Sequence, residues 1–223
     1  MDYILNIHTA TETAIVNLTS GQELLGTEIN HTPKEHAVFL HQAIQNLLKK
    51  EGVMLKNLSA IGISTGPGSF TGVRVGLATA YGLGYSLKIP LITYNSLEIT
   101  AKTAINFIQE TSMLYCPMID ARRMEVFAAL YDYQLQEKVQ PSAIVLNENS
   151  FEEYLSSFKI AFCGSGSKKF QKVSGKEKSY FIDTYISSES IAGISWNKYK
   201  KNDFHNTPYP QPLYIKDFYT IIR

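Results

Sequence analysis

Apolar and polar residues alternate from Tyr3 to Thr9, the period of a half-buried strand. Two further strands follow at Ala14–Leu18 and Leu24–Ile29, with the turn signal Ser20-Gly21 between them. Connections this short predict an antiparallel meander. The period then changes. Ala37, Leu40, Ile44, Leu47 and Leu48 share one face at helical spacing, which predicts a helix over Pro33–Lys50, ended by Gly52. Ser59–Ser64 reads as a short apolar strand. The loop Thr65-Gly66-Pro67-Gly68-Ser69 leads into a helix over Phe70–Leu87. A strand at Pro90–Thr93 and a helix over Leu97–Gln109, with Ser96 as its cap, complete the half.

The same order returns. Leu114–Asp120, Glu125–Tyr131 and Ala143–Leu146 read as strands, and Ser150 as the cap of a helix over Phe151–Phe158. Lys159–Cys163 is a strand, and Gly164-Ser165-Gly166-Ser167 opens a further short helix. The repeat is one of element order, without an aligned sequence repeat. The fold class is α/β with two lobes, each β-β-β-α-β-α, the order of the actin-like ATPase superfamily that includes sugar kinases and Hsp70. The expected boundaries are 1–110 and 111–223. The Pro-rich run 208–212 breaks regular structure, and the tail Leu213–Arg223 is expected to pack back as a short strand or helix.

Composition narrows the function classes. Apolar residues make up 44% of the 223, enough for a soluble core, and no apolar run reaches the roughly 18 residues of a spanning helix. With 21 basic and 20 acidic residues the net charge is +1, which gives no general attraction to nucleic acid. The lysines around Lys168–Lys178 form the main local basic run, which reads more plainly as a solvated loop than as an RNA patch. Cys116 and Cys163 sit in apolar runs at no zinc spacing and read as buried thiols of a cytosolic protein. The first residues lack a basic leader and a cleavage site, so no export is expected.

The segment Gly66–Arg74 is the most unusual. A glycine loop between strand and helix presents free backbone N–H groups and a positive dipole end, which suits a phosphate. Gly66, Gly68 and Ser69 are the candidates for such a cradle, with Ser69 also the expected N-cap. The lysine and hydroxyl of a P-loop are missing at the required spacing. A tight turn needing positive φ explains the glycines equally well. Along the helix that follows, Gly68, Gly72, Gly76, Ala80 and Gly84 recur every fourth residue and form a stripe of small side chains. Each helical glycine costs up to about 1 kcal/mol against alanine, so a close approach must offset it. Either the lobe's own sheet or a helix of another chain could supply that approach. On the first helix Val38 and Phe39 lie off the main apolar face, an added strip of the kind found at interfaces.

These residues resemble a known family. Gly66-Pro67-Gly68-Ser69-Phe70-Thr71-Gly72-Val73-Arg74-Val75-Gly76 is similar to the signature of the TsaB (YeaZ) family. Ile89-Pro90-Leu91, Ser96-Leu97-Glu98, Met118–Val126, Phe162–Gly166 and Gln211–Lys216 resemble further family segments in the same order. The resemblance implies a non-catalytic scaffold and activator of the complex that places threonylcarbamoyl on N6 of adenosine 37 in tRNAs reading ANN codons. It implies the catalytic paralogue TsaD and the ATPase TsaE as partners, homodimers through the same surface, and tRNA as substrate of the complex. Val38, Phe39, Gly72, Arg74, Gly76 and Ala80 are then the expected partner interface. No cofactor is expected to be tightly bound, though an adenine nucleotide at the subunit junction fits the resemblance.

Catalysis by the chain itself finds little support. The family pattern has Asp where His8 stands, which argues against metal–nucleotide binding in this lobe. Asp120 retains the option of a polar role, and its plainer reading is a carboxylate tied to a turn. His36 and His41 are five residues apart, about 140° around a helix, and cannot readily share one metal. They read as solvated or partner-facing, and His8 as a satisfied polar group at a strand end. Ser69 lacks an identifiable His and carboxylate constellation. An autonomous small-metabolite kinase or ATPase is the competing reading, and a glycoprotease-like peptidase the remote one.

Overall fold

The computed structural model describes residues 1–32, 35–175, 177–207 and 209–216. Strands β1 (Tyr3–His8), β2 (Ala14–Ser20) and β3 (Glu23–Asn30) form the meander, followed by helix α1 (His36–Lys50). Strand β4 (Leu58–Ser64), helix α2 (Phe70–Leu87), strand β5 (Leu91–Tyr94) and helix α3 (Ser96–Ile108) follow. The second half repeats the order with β6 (Leu114–Asp120), β7 (Glu125–Tyr131), β8 (Glu137–Val145), α4 (Glu152–Ser157), β9 (Ile160–Cys163), α5 (Ser167–Gln171), β10 (Ser179–Ile182) and α6 (Ser188–Lys200). The two sheets run β3-β2-β1-β4-β5 and β8-β7-β6-β9-β10, so one topology appears twice. In each, the meander is antiparallel and the last two strands are parallel, which is the two-lobed actin-like arrangement expected.

Alternation along the strands sorts side chains into layers. Leu5 and Ile7 of β1, with Val16, Leu18, Ile61 and Ile63, face α1 and α2. Ile4, Ile15, Ala60, Ile92 and Tyr94 face α3 and α6 on the other side. Helix α3 is apolar on two flanks. Its Ile99 joins the first sheet, while Leu97, Ala101, Ala104 and Ile105 pack on Tyr115, Tyr131 and Ala161 of the second. The far face of the second sheet packs Phe162 against Phe170 and Phe151 in edge-to-face contacts, with centroids 4.8 and 5.4 Å apart.

Several local expectations change. The start of α1 at Pro33 lies outside the described residues. Helix α3 is capped by Asn95 rather than Ser96. Asn95 Oδ1 accepts from Glu98 N–H at 2.6 Å, and the Glu98 carboxylate bonds back to the Asn95 backbone. Ser96 Oγ instead meets Ser64 Oγ at 3.0 Å. Helix α4 follows Phe151 at φ +63° without a side-chain cap, and Ser150 Oγ accepts from Asn147 N–H. Strand β10 and helix α6 fall where no element is expected. Helix α6 buries Ser188, Ser190 and Ser195 along with Ile191, Ala192 and Ile194, so its polar residues hide its period. Although it belongs to the second half of the chain, α6 packs on β1, β2, β3 and β5 of the first sheet. Beyond it the described residues 201–207 and 209–216 form an irregular strap. His205 N–H donates to Leu91 O and Leu213 N–H to Thr65 O, both at 2.8 Å, and residues 217–223 of the expected tail element lie outside the described residues.

The Asn95 cap offers a local test. Asn95→Ala is expected to cost about 1 kcal/mol, lowering the thermal midpoint by about 2–4 °C, because the Glu98 N–H in the first turn of α3 loses its side-chain acceptor. A melt unchanged within a degree would show that the cap does not contribute.

Candidate functional site

The glycine loop is folded into its own lobe. Gly66 sits at φ +98° and Gly68 at φ +151°, and a Cβ on Gly68 would overlap the Ala10 carbonyl at the β1–β2 turn. Ser69 N–H donates to that same carbonyl at 2.7 Å. Ser69 Oγ caps α2 by accepting from Gly72 N–H at 3.2 Å, and Gly66 O accepts from Ser96 N–H at 2.8 Å. The N–H groups of Ser69, Gly72 and Val73 are therefore already spent inside the chain. Of the three residues expected to cradle a phosphate, Ser69 has given its N–H to the Ala10 carbonyl, and Gly68 lies tight against that same carbonyl.

The small stripe has the same use. A Cβ on Gly72 would overlap the Thr9 carbonyl, and one on Gly76 would overlap Thr9 Oγ1 and press Ile63. Thr9 Oγ1 donates to Gly72 O at 2.7 Å across this contact. Ala80 is fully buried, and Gly84 abuts Leu91. Gly72, Gly76 and Ala80, expected at a partner interface, thus seat α2 on the lobe's own sheet and are closed to another chain. Arg74 is exposed but occupied. Its guanidinium lies 3.7 Å from the Phe70 ring centroid, and its Nε donates to Tyr214 Oη at 2.9 Å, fastening the strap. Phe39 is half-buried against the first core, whereas Val38 is 81% exposed.

The open surface is on the other flank of α2. A groove of about 820 Å³ runs between α1 and α2, lined by Ile44 and Leu48 from α1 and by Ala78, Thr79, Gly82 and Leu83 from α2. Val53 and Leu55 close one end, and Met54 beside them is 56% exposed. Nothing lies within 4 Å of a Cβ placed on Gly82, so this glycine keeps the groove open. These residues escaped the sequence reading, although Gly82 stands two residues off the four-residue stripe and was the available signal.

The junction between the lobes is polar but self-satisfied. Asp120 Oδ1 accepts from Lys169 Nζ at 2.7 Å and from Arg122 N–H at 2.6 Å, and Lys168 pairs with Asp183 at 2.9 Å. Lys178 donates to Ser156 O, so the lysine run is largely tied within the chain, with Lys176 outside the described residues. His8 is fully buried, and burial, helped by nearby His36, pushes its pKa down to about 3. Thr11 Oγ1 donates to Thr13 O and so accepts from His8 Nε2–H at 2.9 Å, leaving His8 Nδ1 buried without a partner among the described residues. The strand-end histidine is thus only half satisfied. His36 is also buried, its Nε2–H donating to Thr11 O at 3.0 Å, which corrects its expected solvated or partner-facing place. His41 is exposed at the α1–α2 groove. Among the described residues no three His, Cys, Asp or Glu side chains gather where a metal could sit, and no helix is long and apolar enough to cross a membrane. Cys116 and Cys163 are both buried and unbridged, and burial pushes the Cys163 thiol up to about 12.

Comparisons with known proteins follow this geometry. Residues 26–217 match the family model of TsaD, tRNA N6-adenosine threonylcarbamoyltransferase. The tRNA threonylcarbamoyladenosine biosynthesis protein TsaB of Bacillus subtilis is 35% identical over 145 residues, 64% of this chain and 62% of that protein. The protein of the same name from Escherichia coli is 35% identical over 128 residues, 57% of this chain and 54% of that one. The chain thus spans somewhat over half the length of these curated relatives. YeaZ from Pseudomonas aeruginosa superposes with a TM-score of 0.79 over 96% of this chain and all of that one, at 23% identity. A second Pseudomonas aeruginosa structure, described as similar to peptidase YEAZ, reaches 0.85 over 97% of this chain and all of that one, at 21% identity. Those two likenesses fix the fold, and the match over residues 26–217 fixes the kinship: the chain belongs to the TsaD family, in its TsaB branch.

Proposed function

We propose that this chain is a non-catalytic, activating subunit of a cytoplasmic complex that transfers threonylcarbamoyl to N6 of adenosine 37 in ANN-decoding tRNAs. The observation that carries the reading is the apolar α1–α2 groove, an open surface between two helices otherwise seated on their own core. It fits a helix pair of a TsaD-type catalytic partner, or of a second copy of this chain. A TsaE-type ATPase completes the assembly, tRNA is its substrate, and an adenine nucleotide has its place at the subunit junction rather than in the clamped glycine loop. The names carried by the relatives support the pathway, and the Lys169-bound Asp120 supports a cleft that does no chemistry of its own.

The test is threonylcarbamoyladenosine formation on unmodified tRNA with a donor-forming enzyme and TsaD- and TsaE-type proteins from the same organism. Product is expected only when the chain is present, and none from the chain without the TsaD-type protein. Product formed equally without it overturns the reading. The groove has its own prediction. Gly82→Leu is expected to fold, since its Cβ meets open space and helix propensity improves by up to about 1 kcal/mol. The leucine fills the groove, so affinity for the TsaD-type partner should fall roughly a hundredfold, the size of a central interface loss, as titration calorimetry would read. Val38→Glu should act in the same direction, and wild-type binding by both variants would place the partner elsewhere.

A further inference from the structure

A second groove, of about 600 Å³, opens at the C-terminal end of α2 and shares Ser86 with the first. Two tyrosines line it, and a third extends the aromatic surface beyond its edge. Tyr81 and Tyr85 lie one helical turn apart with centroids separated by 5.8 Å, and Tyr209 of the strap stacks on Tyr81 at 4.2 Å. The outer two rings are open, Tyr85 being 72% and Tyr209 57% exposed. Lys88 and His205 line the groove, and among the described residues no carboxylate does. The negative end of α2 is already answered, because Lys88 N–H and Ile89 N–H cap the Tyr85 and Gly84 carbonyls. Asn206, exposed and without a partner among the described residues, offers two donors and an acceptor at the rim.

We propose that this groove binds an unpaired stretch of RNA, one base stacking on Tyr85 and another on Tyr209, with a neighbouring phosphate on Lys88. Open π-faces combined with a cation and no acid are what single-stranded nucleic acid recognises, and stacking tolerates any base. A duplex keeps its bases stacked inside and gives these rings nothing to receive. The inference deepens the proposed function and rests on it, giving the RNA-modifying assembly a contact for an unpaired part of its substrate. An acidic protein segment is the rival occupant.

The test uses the full chain and a fluorescein-labelled, unstructured ten-nucleotide RNA, followed by anisotropy across a salt series. Wild type is expected to bind the single strand and not a hairpin duplex of the same length. Tyr85→Ala, at an exposed position that does not threaten the fold, should weaken binding about tenfold, within the range for one stacked base. Lys88→Gln should flatten the slope of log affinity against log salt by about 0.7, one phosphate contact on a single strand. Gly82→Leu should bind RNA normally while losing the protein partner, so failure of the assembly reading and failure of this one are told apart. The proposal is overturned if wild type does not bind, if both variants bind RNA as wild type does, or if they weaken only the protein partner.

Discussion

Gly76→Leu is expected to unfold the protein. The stripe of small residues on α2 faces Thr9, Ile7 and Ile63, and even a Cβ at Gly76 overlaps the Thr9 hydroxyl. A leucine adds three further carbons into a contact with no free volume. Overpacking of this kind costs about 1–3 kcal/mol when side chains alone yield, and more when a helix must lift from its sheet. Lifting α2 also breaks the bond from Thr9 Oγ1 to Gly72 O, worth about 0.5–1.5 kcal/mol. The sum is about 4 kcal/mol or more, against a typical total of about 5–15. Urea denaturation followed by circular dichroism would show a midpoint lowered by at least about a quarter, or no folded baseline where the total lies at the low end of that range. Gly76→Ala should be destabilised by less. A leucine variant that denatures like wild type would mean that α2 does not rest on β1 as described. The contrast with Gly82→Leu, six residues along the same helix, separates the face that builds the lobe from the face left for a partner.

The second large effect is on acid stability. His8 is neutral in the folded state down to about pH 3, while in the unfolded chain it titrates at its ordinary value of 6.5. Above pH 6.5 both states are neutral there and the full stability is present. As the pH falls from 6.5 toward 3, the unfolded chain takes up a proton that the folded chain refuses, so stability is lost at about 1.4 kcal/mol per pH unit. Over the whole window the loss approaches about 5 kcal/mol, the lower end of an ordinary domain's total stability. The carboxylates of the chain contribute their own acid sensitivity. His8→Gln isolates the histidine, since the difference between the two stability profiles should fall by about 1.4 kcal/mol per pH unit between pH 6 and 4. Parallel profiles would mean that water reaches His8 Nδ1.

How much of this could be read beforehand depends on how many neighbours each element has. Helix α2 was placed at its full span, Phe70–Leu87, because a capping serine and a long helical period coincide there. Strands β6 and β7, apolar and bounded by turns, were placed equally well. Strand β8 was longer than read because Glu137 and Lys138 open it at a sheet edge, where polar side chains are at home. Helix α6 was missed because serines are small enough to be buried, and its sequence carries little contrast between faces. The site was legible in part. Val38 stood out as an apolar residue off the core face and is open. The glycine stripe told only that something comes close to α2. Small residues permit close approach without naming the visitor, and Thr9, sixty-three residues earlier than Gly72, was the visitor. Likewise, the bare glycine loop suggested anion binding because its donors were free on paper. The Ala10 carbonyl that consumes one of them comes from a turn no local pattern connects to it.

The placement of α6 has a consequence for how the protein is made. The face of the first sheet carrying Ile4, Ile15 and Ile92 is covered by Ile191 and Ile194, which leave the ribosome after every strand of the second sheet. Domains ordinarily complete themselves from the N-terminus as synthesis proceeds. Here the N-terminal half, although it contains every strand of its sheet, must wait with one greasy side bare while most of the second half is translated. The two halves share a blueprint but are not independent modules. A gene cut between them would leave the first product with that apolar face exposed, although the topology repeats.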